Sequence, residues 1–120
     1  MLTAQQLVEN AKKHITELNV TQTAKQLNQT EPYQIIDVRE PDEFVQGHLP
    51  NAHNIPRGVL EFKIEEAVSN QSTPIVVYCQ TGGRAALSAH ALQTLGYTDV
   101  TSIEGGYEAW IAQHQPMLTI

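Results

Sequence analysis

Apolar positions near the start of the chain fall at helical spacing. Ala4, Leu7, Val8 and Ala11 recur between polar residues, and Thr3 with Gln6 has the spacing of a capping box. A helix over 4–13 is predicted. A short strand at 15–18 follows, and Thr21 is expected to cap a second helix reaching Leu27. QIIDV at 34–38 is a β-rich run between polar neighbours and reads as a buried strand. Pro41 suits the first position of a helix, Asp42 and Glu43 complement its N-terminal dipole, and Gly47 can end it. A short strand at 54–55 and a helix over 60–68 come next. IVVY at 75–78, preceded by Pro74, is the clearest buried strand. An Ala- and Leu-rich helix over 84–95 stops at Gly96, and a strand at 100–103 follows. Gly105 and Gly106 then turn the chain into a last helix, 107–113, with Trp110 as core.

Strands alternate with helices throughout. That pattern predicts an α/β fold with a parallel sheet and helices on both faces. Such sheets bind ligands beyond the carboxyl ends of their strands. The rule points to the ends of the 34–38 and 75–78 strands, where Arg39 and Cys79 lie.

Composition narrows the picture. With 120 residues, no internal repeat and no linker-like stretch, one domain is expected. A formal net charge of −6 argues against nonspecific binding to nucleic acid or an anionic membrane surface. The N-terminal segment lacks the apolar core of a signal peptide and no stretch approaches a membrane span, so a cytoplasmic setting is the expectation. A single cysteine excludes an internal disulfide and an intramolecular resolving thiol. The five histidines show no ligand spacing with Cys79, so no metal is expected.

The chemistry concentrates in IVVYCQTGGRAALSAH. Cys79 ends a strand, Arg84 opens a helix, and Gln80, Thr81, Gly82 and Gly83 lie between. A loop wrapping into a helix N-terminus can aim backbone N–H groups inward. Gly82 and Gly83 permit positive φ and close backbone approach. The helix dipole and Arg84 would favour a thiolate at Cys79. A lone cysteine at a strand end is ordinarily a small core residue. Here the glycine pair, the arginine and the strand–loop–helix setting favour reactive chemistry.

Four blocks, in order, resemble the rhodanese homology domain: IIDVREPDEF, GHLPNAHNIP, VVYCQTGGRA and LGYTDVTSIEGGYEAW. RGVLEFKI at 57–64 is also similar to small bacterial rhodaneses with an extra N-terminal helix. The resemblance implies a five-stranded parallel sheet. It divides the chain into an N-terminal helical extension, 1–14, and a rhodanese-like domain, 15–120. It implies a ping-pong sulfurtransferase without metal or organic cofactor. A small anionic sulfur donor such as thiosulfate, or a persulfide, loads the Cys79 thiolate, and a thiol, cyanide or a protein accepts the sulfur. Backbone N–H groups of Gln80, Thr81, Gly82, Gly83 and Arg84 are then expected around the outer sulfur. Arg84 would contact the donor's sulfonate or brace the loop, and Thr81 would add a donor hydroxyl or simply be exposed. Asp37 and Arg39 would tie the strand end to neighbouring loops, with Arg39 as possible pocket support. Arg57 would be a further pocket cation or a salt-bridge partner, and His48 a loop hydrogen-bonding group. Two rivals follow from the same blocks. Cysteine phosphatases and arsenate reductases use a related loop one residue longer, and noncatalytic rhodanese-like modules bind without transferring sulfur.

Overall fold

The computed structural model describes residues 1–29, 33–113 and 115–119. Its centre is a fully buried strand, β4 (Ile75–Tyr78), whose four residues are all apolar. Around it the chain builds a five-stranded sheet in the order β1-β5-β4-β2-β3. Here β1 is Thr16–Leu18, β2 Gln34–Asp37, β3 Ala52–Asn54 and β5 Val100–Ile103. Every pairing is parallel. The fold is therefore the α/β sheet that the strand–helix alternation predicts.

The described residues form six α-helices: α1 (Ala4–Lys12), α2 (Val20–Leu27), α3 (Pro41–Gln46), α4 (Leu60–Ala67), α5 (Gly83–Thr94) and α6 (Gly106–Ala112). Alternate side chains of a strand point to opposite faces, so the sheet carries two cores. Ile36, Ile75, Val77 and Val100 pack with Leu60 and Ile64 of α4 and Ala85, Ala89 and Leu92 of α5. Ile35, Val76, Tyr78 and Ile103 pack with Val20 of α2 and Tyr107 and Trp110 of α6. The first helix lies on α5: Ala11 is buried, and the His14 ring stacks on that of His90.

The register sets the site. Asp37 pairs with Tyr78, which places the ends of β2 and β4 side by side. Val38 N–H then donates to Tyr78 carbonyl at 3.0 Å, so the residues following both strands leave the sheet together.

Two boundaries differ from the sequence pattern. The second helix starts at Val20 and is capped by Asn19, not Thr21. Asn19 Oδ1 accepts from Gln22 N–H at 2.8 Å, and Gln22 Oε1 accepts from Asn19 N–H at 3.0 Å. Val20 is completely buried, and starting the helix there drives it into the core. Thr21 faces outward and donates to Gln113 at 3.2 Å. The third strand is Ala52–Asn54 and not 54–55, because its register follows β2 from Ile35 to Asp37. Elsewhere the predicted elements are displaced by a residue or so at their ends, as at Gly83 and Gly106, where the glycines enter the first helical turn.

The capping assignment has a direct test in urea denaturation. Asn19→Ala should cost about 1 kcal/mol of stability. Thr21→Ala should stay within about 0.5 kcal/mol, as expected for an exposed position outside a cap.

Candidate active site

The β4–α5 loop holds Cys79 at its base. The residue is 1% exposed, and its Sγ accepts N–H bonds from Gly82 at 3.0 Å and Ala85 at 3.3 Å. Two amides therefore already converge on the sulfur from the start of α5. Gly82 reaches this position with φ of 122°, a backbone region that a side chain disfavours. Gly83 does not need that freedom. It lies outside the positive-φ glycines, and a Cβ there would sit 3.7 Å from Val8 of α1. The expectation of positive φ thus holds for only one glycine of the pair.

The loop is held from behind by α6. Tyr107 N–H donates to Cys79 carbonyl at 2.8 Å, and Glu108 N–H donates to Gln80 carbonyl at 3.1 Å. In a trans peptide the C=O and the following N–H point in opposite directions. Tying these carbonyls to α6 therefore turns the Gln80 and Thr81 N–H groups away from it. Such close contact requires a glycine at the helix start. A Cβ on Gly106 would lie 2.5 Å from Cys79 carbonyl oxygen and 2.7 Å from that of Gln80.

A buried arginine supports the loop from the β2 side. Arg39 is 2% exposed. Its Nε donates to Asp37 Oδ1 at 3.0 Å and its Nη2 to Asp37 Oδ2 at 2.7 Å. Nη2 also donates to Gly47 carbonyl at 2.7 Å, and Nη1 to Gln80 Oε1 at 3.0 Å. The guanidinium lies 4.4 Å from the centre of the Tyr107 ring. Burial opposes its charge, but the hydrogen bonds and negative charge of Asp37, assisted by Tyr78, raise its pKa. The Tyr78 hydroxyl is pushed up first by burial and then by Asp37, and it accepts from Leu49 N–H at 3.1 Å.

Arg84 points to a carboxylate. Nη1 donates to Glu43 Oε1 at 2.8 Å and Nη2 to Oε2 at 3.0 Å, in a two-pronged pair. Glu43 is itself fixed, because Glu40 N–H donates to its Oε1 at 3.0 Å. The Arg84 hydrogen bonds, assisted by that backbone donor, outweigh burial and bring the Glu43 carboxyl down to about 2.

The remaining candidates occupy simpler positions. Thr81 is exposed at the loop tip, and Asp37 is fully buried under Arg39. Arg57 pairs with Glu61 one turn along, at 3.0 Å. His48 bonds through Nδ1 to Phe44 carbonyl at 2.9 Å and stacks on the Phe44 ring. His114 lies outside the described residues. Among the described residues, no group of three or more His, Cys, Asp or Glu side chains is placed to share a metal ion.

Several contributors were missed by sequence reasoning. Glu43 was read only as a first-turn acid, and the Ala85 amide and the Gln80 side chain carried no signal of their own. Gly106 was flagged as a turn former, and the glycine pair before an aromatic is the signal that would have suggested close approach.

The Rhodanese-like domain family matches residues 20–113. Thiosulfate sulfurtransferase 16, chloroplastic, of Arabidopsis thaliana is 38% identical over 94 residues, covering 70% of this chain and 78% of that protein. Uncharacterized protein YqhL of Bacillus subtilis is also 38% identical, over 77 residues; the match covers 64% of this chain and only 60% of that protein. A solved structure from Rhodopseudomonas palustris, described as a protein of unknown function and possible tyrosine phosphatase, superposes with a TM-score of 0.90. It is 28% identical, with 98% of this chain and 96% of that chain covered.

Two predictions follow the geometry. Gly106→Ala should destabilise the protein by about 1–3 kcal/mol through clash and strained φ, whereas Gly83→Ala should be close to neutral; thermal unfolding compares them. The second concerns acid. The Glu43 carboxyl titrates at about 2 in the folded chain against an ordinary 4.5, so its pairing stabilises fully above about 4.5 and is lost as pH falls through 2. The stability difference between the wild type and Glu43→Gln should shrink over that window.

Proposed function

The chain belongs to the rhodanese-like domain family, and from that premise we propose that it is a sulfurtransferase carrying sulfane sulfur as a persulfide on Cys79. Several relatives are named sulfurtransferases. The observation that carries the proposal is the convergence of the Gly82 and Ala85 N–H groups on the Sγ of the chain's single cysteine.

In the first half-reaction the Cys79 thiolate attacks the outer sulfur of thiosulfate or of a persulfide donor. The new S–S bond forms as the donor's own S–S bond breaks, and sulfite or a thiolate leaves with the electron pair. The added sulfur carries negative charge and extends into the loop. There the N–H groups of Gln80, Thr81, Gly82, Gly83 and Arg84 would act together with the Ala85 N–H, as preorganised donors do around a developing oxyanion. Arg39 keeps Gln80 in place, and α6 holds the carbonyl side of the loop. In the second half-reaction a thiol, cyanide or protein acceptor attacks the outer sulfur and restores the Cys79 thiolate. No second cysteine is present, so the acceptor must be another molecule.

A phosphatase reading draws on the description of the Rhodopseudomonas palustris structure. The loop here favours sulfur instead. Only four residues separate Cys79 from Arg84, and the arginine is engaged by Glu43. A noncatalytic module is the less economical reading, because the cysteine and its N–H donors are both retained.

Intact-mass measurement tests the proposal. Wild-type protein should gain one sulfur atom from thiosulfate or a persulfide donor and lose it to cyanide. Folded Cys79→Ser should gain none. Sulfur transfer at the wild-type rate by Cys79→Ser would sink the mechanism.

A further inference from the structure

We propose that Glu43 is a specificity-determining residue that biases the site against dianionic donors such as thiosulfate and towards persulfides carrying at most one charge. This rests on the sulfurtransferase reading above. The loop between Cys79 and Arg84 contains no charged side chain, so attraction for an anionic donor rests on the backbone N–H groups and on arginines nearby. Each of the chain's three arginines has a carboxylate partner: Arg39 with Asp37 at 2.7 Å, Arg57 with Glu61 at 3.0 Å and Arg84 with Glu43 at 2.8 Å.

The Arg84 pair matters most because Arg84 lies in the first turn of α5, directly after the Cys79 loop. Both of its terminal nitrogens are directed at Glu43. A sulfonate approaching Cys79 therefore meets a neutral pair in place of a free cation, and must break a two-pronged bond to recruit the guanidinium. Glu43 is not a loose surface acid that would swing aside. It lies in the first turn of α3, where Pro41 limits the backbone, and its Oε1 also accepts the Glu40 N–H. Its carboxylate stays ionised across the neutral range.

Charge number then separates the donors. Coulombic repulsion from a fixed carboxylate scales with the charge on the incoming anion, so a dianion is penalised about twice as strongly as a monoanion. The transfer itself is unaltered: the same S–S bond forms at Cys79, and sulfite or a thiolate departs with the electron pair. Glu43 thus acts on which donor reaches the sulfur.

The test compares kcat/KM for thiosulfate and for 2-hydroxyethyl persulfide in wild type, Glu43→Gln and Glu43→Asp, with melting temperature recorded for each. Glu43→Gln keeps the size and an acceptor for Arg84 but removes the charge. At low ionic strength it should raise kcat/KM about tenfold for thiosulfate and only about threefold for the persulfide, the ratio expected for two charges against one. Added salt should shrink both gains. Glu43→Asp keeps the charge and should leave the donor ratio near that of wild type. If Glu43 merely braces Arg84, both variants will change the two donors in equal proportion, or Glu43→Gln will lower thiosulfate turnover; either result overturns the proposal. Absence of a Cys79 persulfide in wild type with both donors would instead overturn the sulfurtransferase reading, and the proposal with it.

Discussion

A guanidinium sealed inside a protein must have its charge and its N–H groups answered, and the ion pair of Arg39 with Asp37 meets that demand. The arginine joins four places distant in sequence: the end of β2, Gly47 after α3, Gln80 in the Cys79 loop and the Tyr107 ring on α6. Replacing one partner alone would leave the other charged and buried, which commonly costs several kcal/mol. The pair therefore specifies how these segments meet. It lies beside the Cys79 loop because β2 and β4 are adjacent, in-register parallel strands.

The loop is defined by hydrogen bonds on both sides. From the front, Gly82 and Ala85 amides reach Cys79 Sγ. From behind, Tyr107 and Glu108 amides hold the loop carbonyls. Each set relies on a glycine for its own reason: Gly82 for its φ of 122°, and Gly106 because a Cβ there would lie 2.5 Å from the Cys79 carbonyl oxygen. A site made of backbone donors has little reorganisation to perform when negative charge arrives, which suits the persulfide proposed for Cys79.

Strand 75–78 was legible as a short continuous apolar run after Pro74, and strands 34–38 and 100–103 by their β-branched residues between polar or turn residues. The Cys79 loop was legible because its residues are contiguous. The start of α2 was misplaced: Asn19 and Thr21 are both good caps, and the reciprocal bonds of Asn19 with Gln22 together with the burial of Val20 decide between them. Contacts across the fold were hidden for a different reason. Glu43 and Arg84 lie 41 positions apart, and the fit of Gly106 against Cys79 depends on how α6 meets the loop. Local pattern carries no information on the ion pair, and on the second contact only the glycine pair before Tyr107. The role of Arg84 was correspondingly open between anion contact and brace, and the structure places its side chain on Glu43.

The claim at the centre is that loop amides hold the outer sulfur on Cys79. Amide NMR spectra of ¹⁵N-labelled protein before and after loading with a persulfide donor test it most directly. Hydrogen bonding to the new sulfur anion should shift the amide protons of residues 80–85 downfield, with cyanide reversing the change and the β1 and β3 amides unmoved. Sulfur loading that leaves residues 80–85 unshifted, or shifts spread evenly over the sheet, would contradict it.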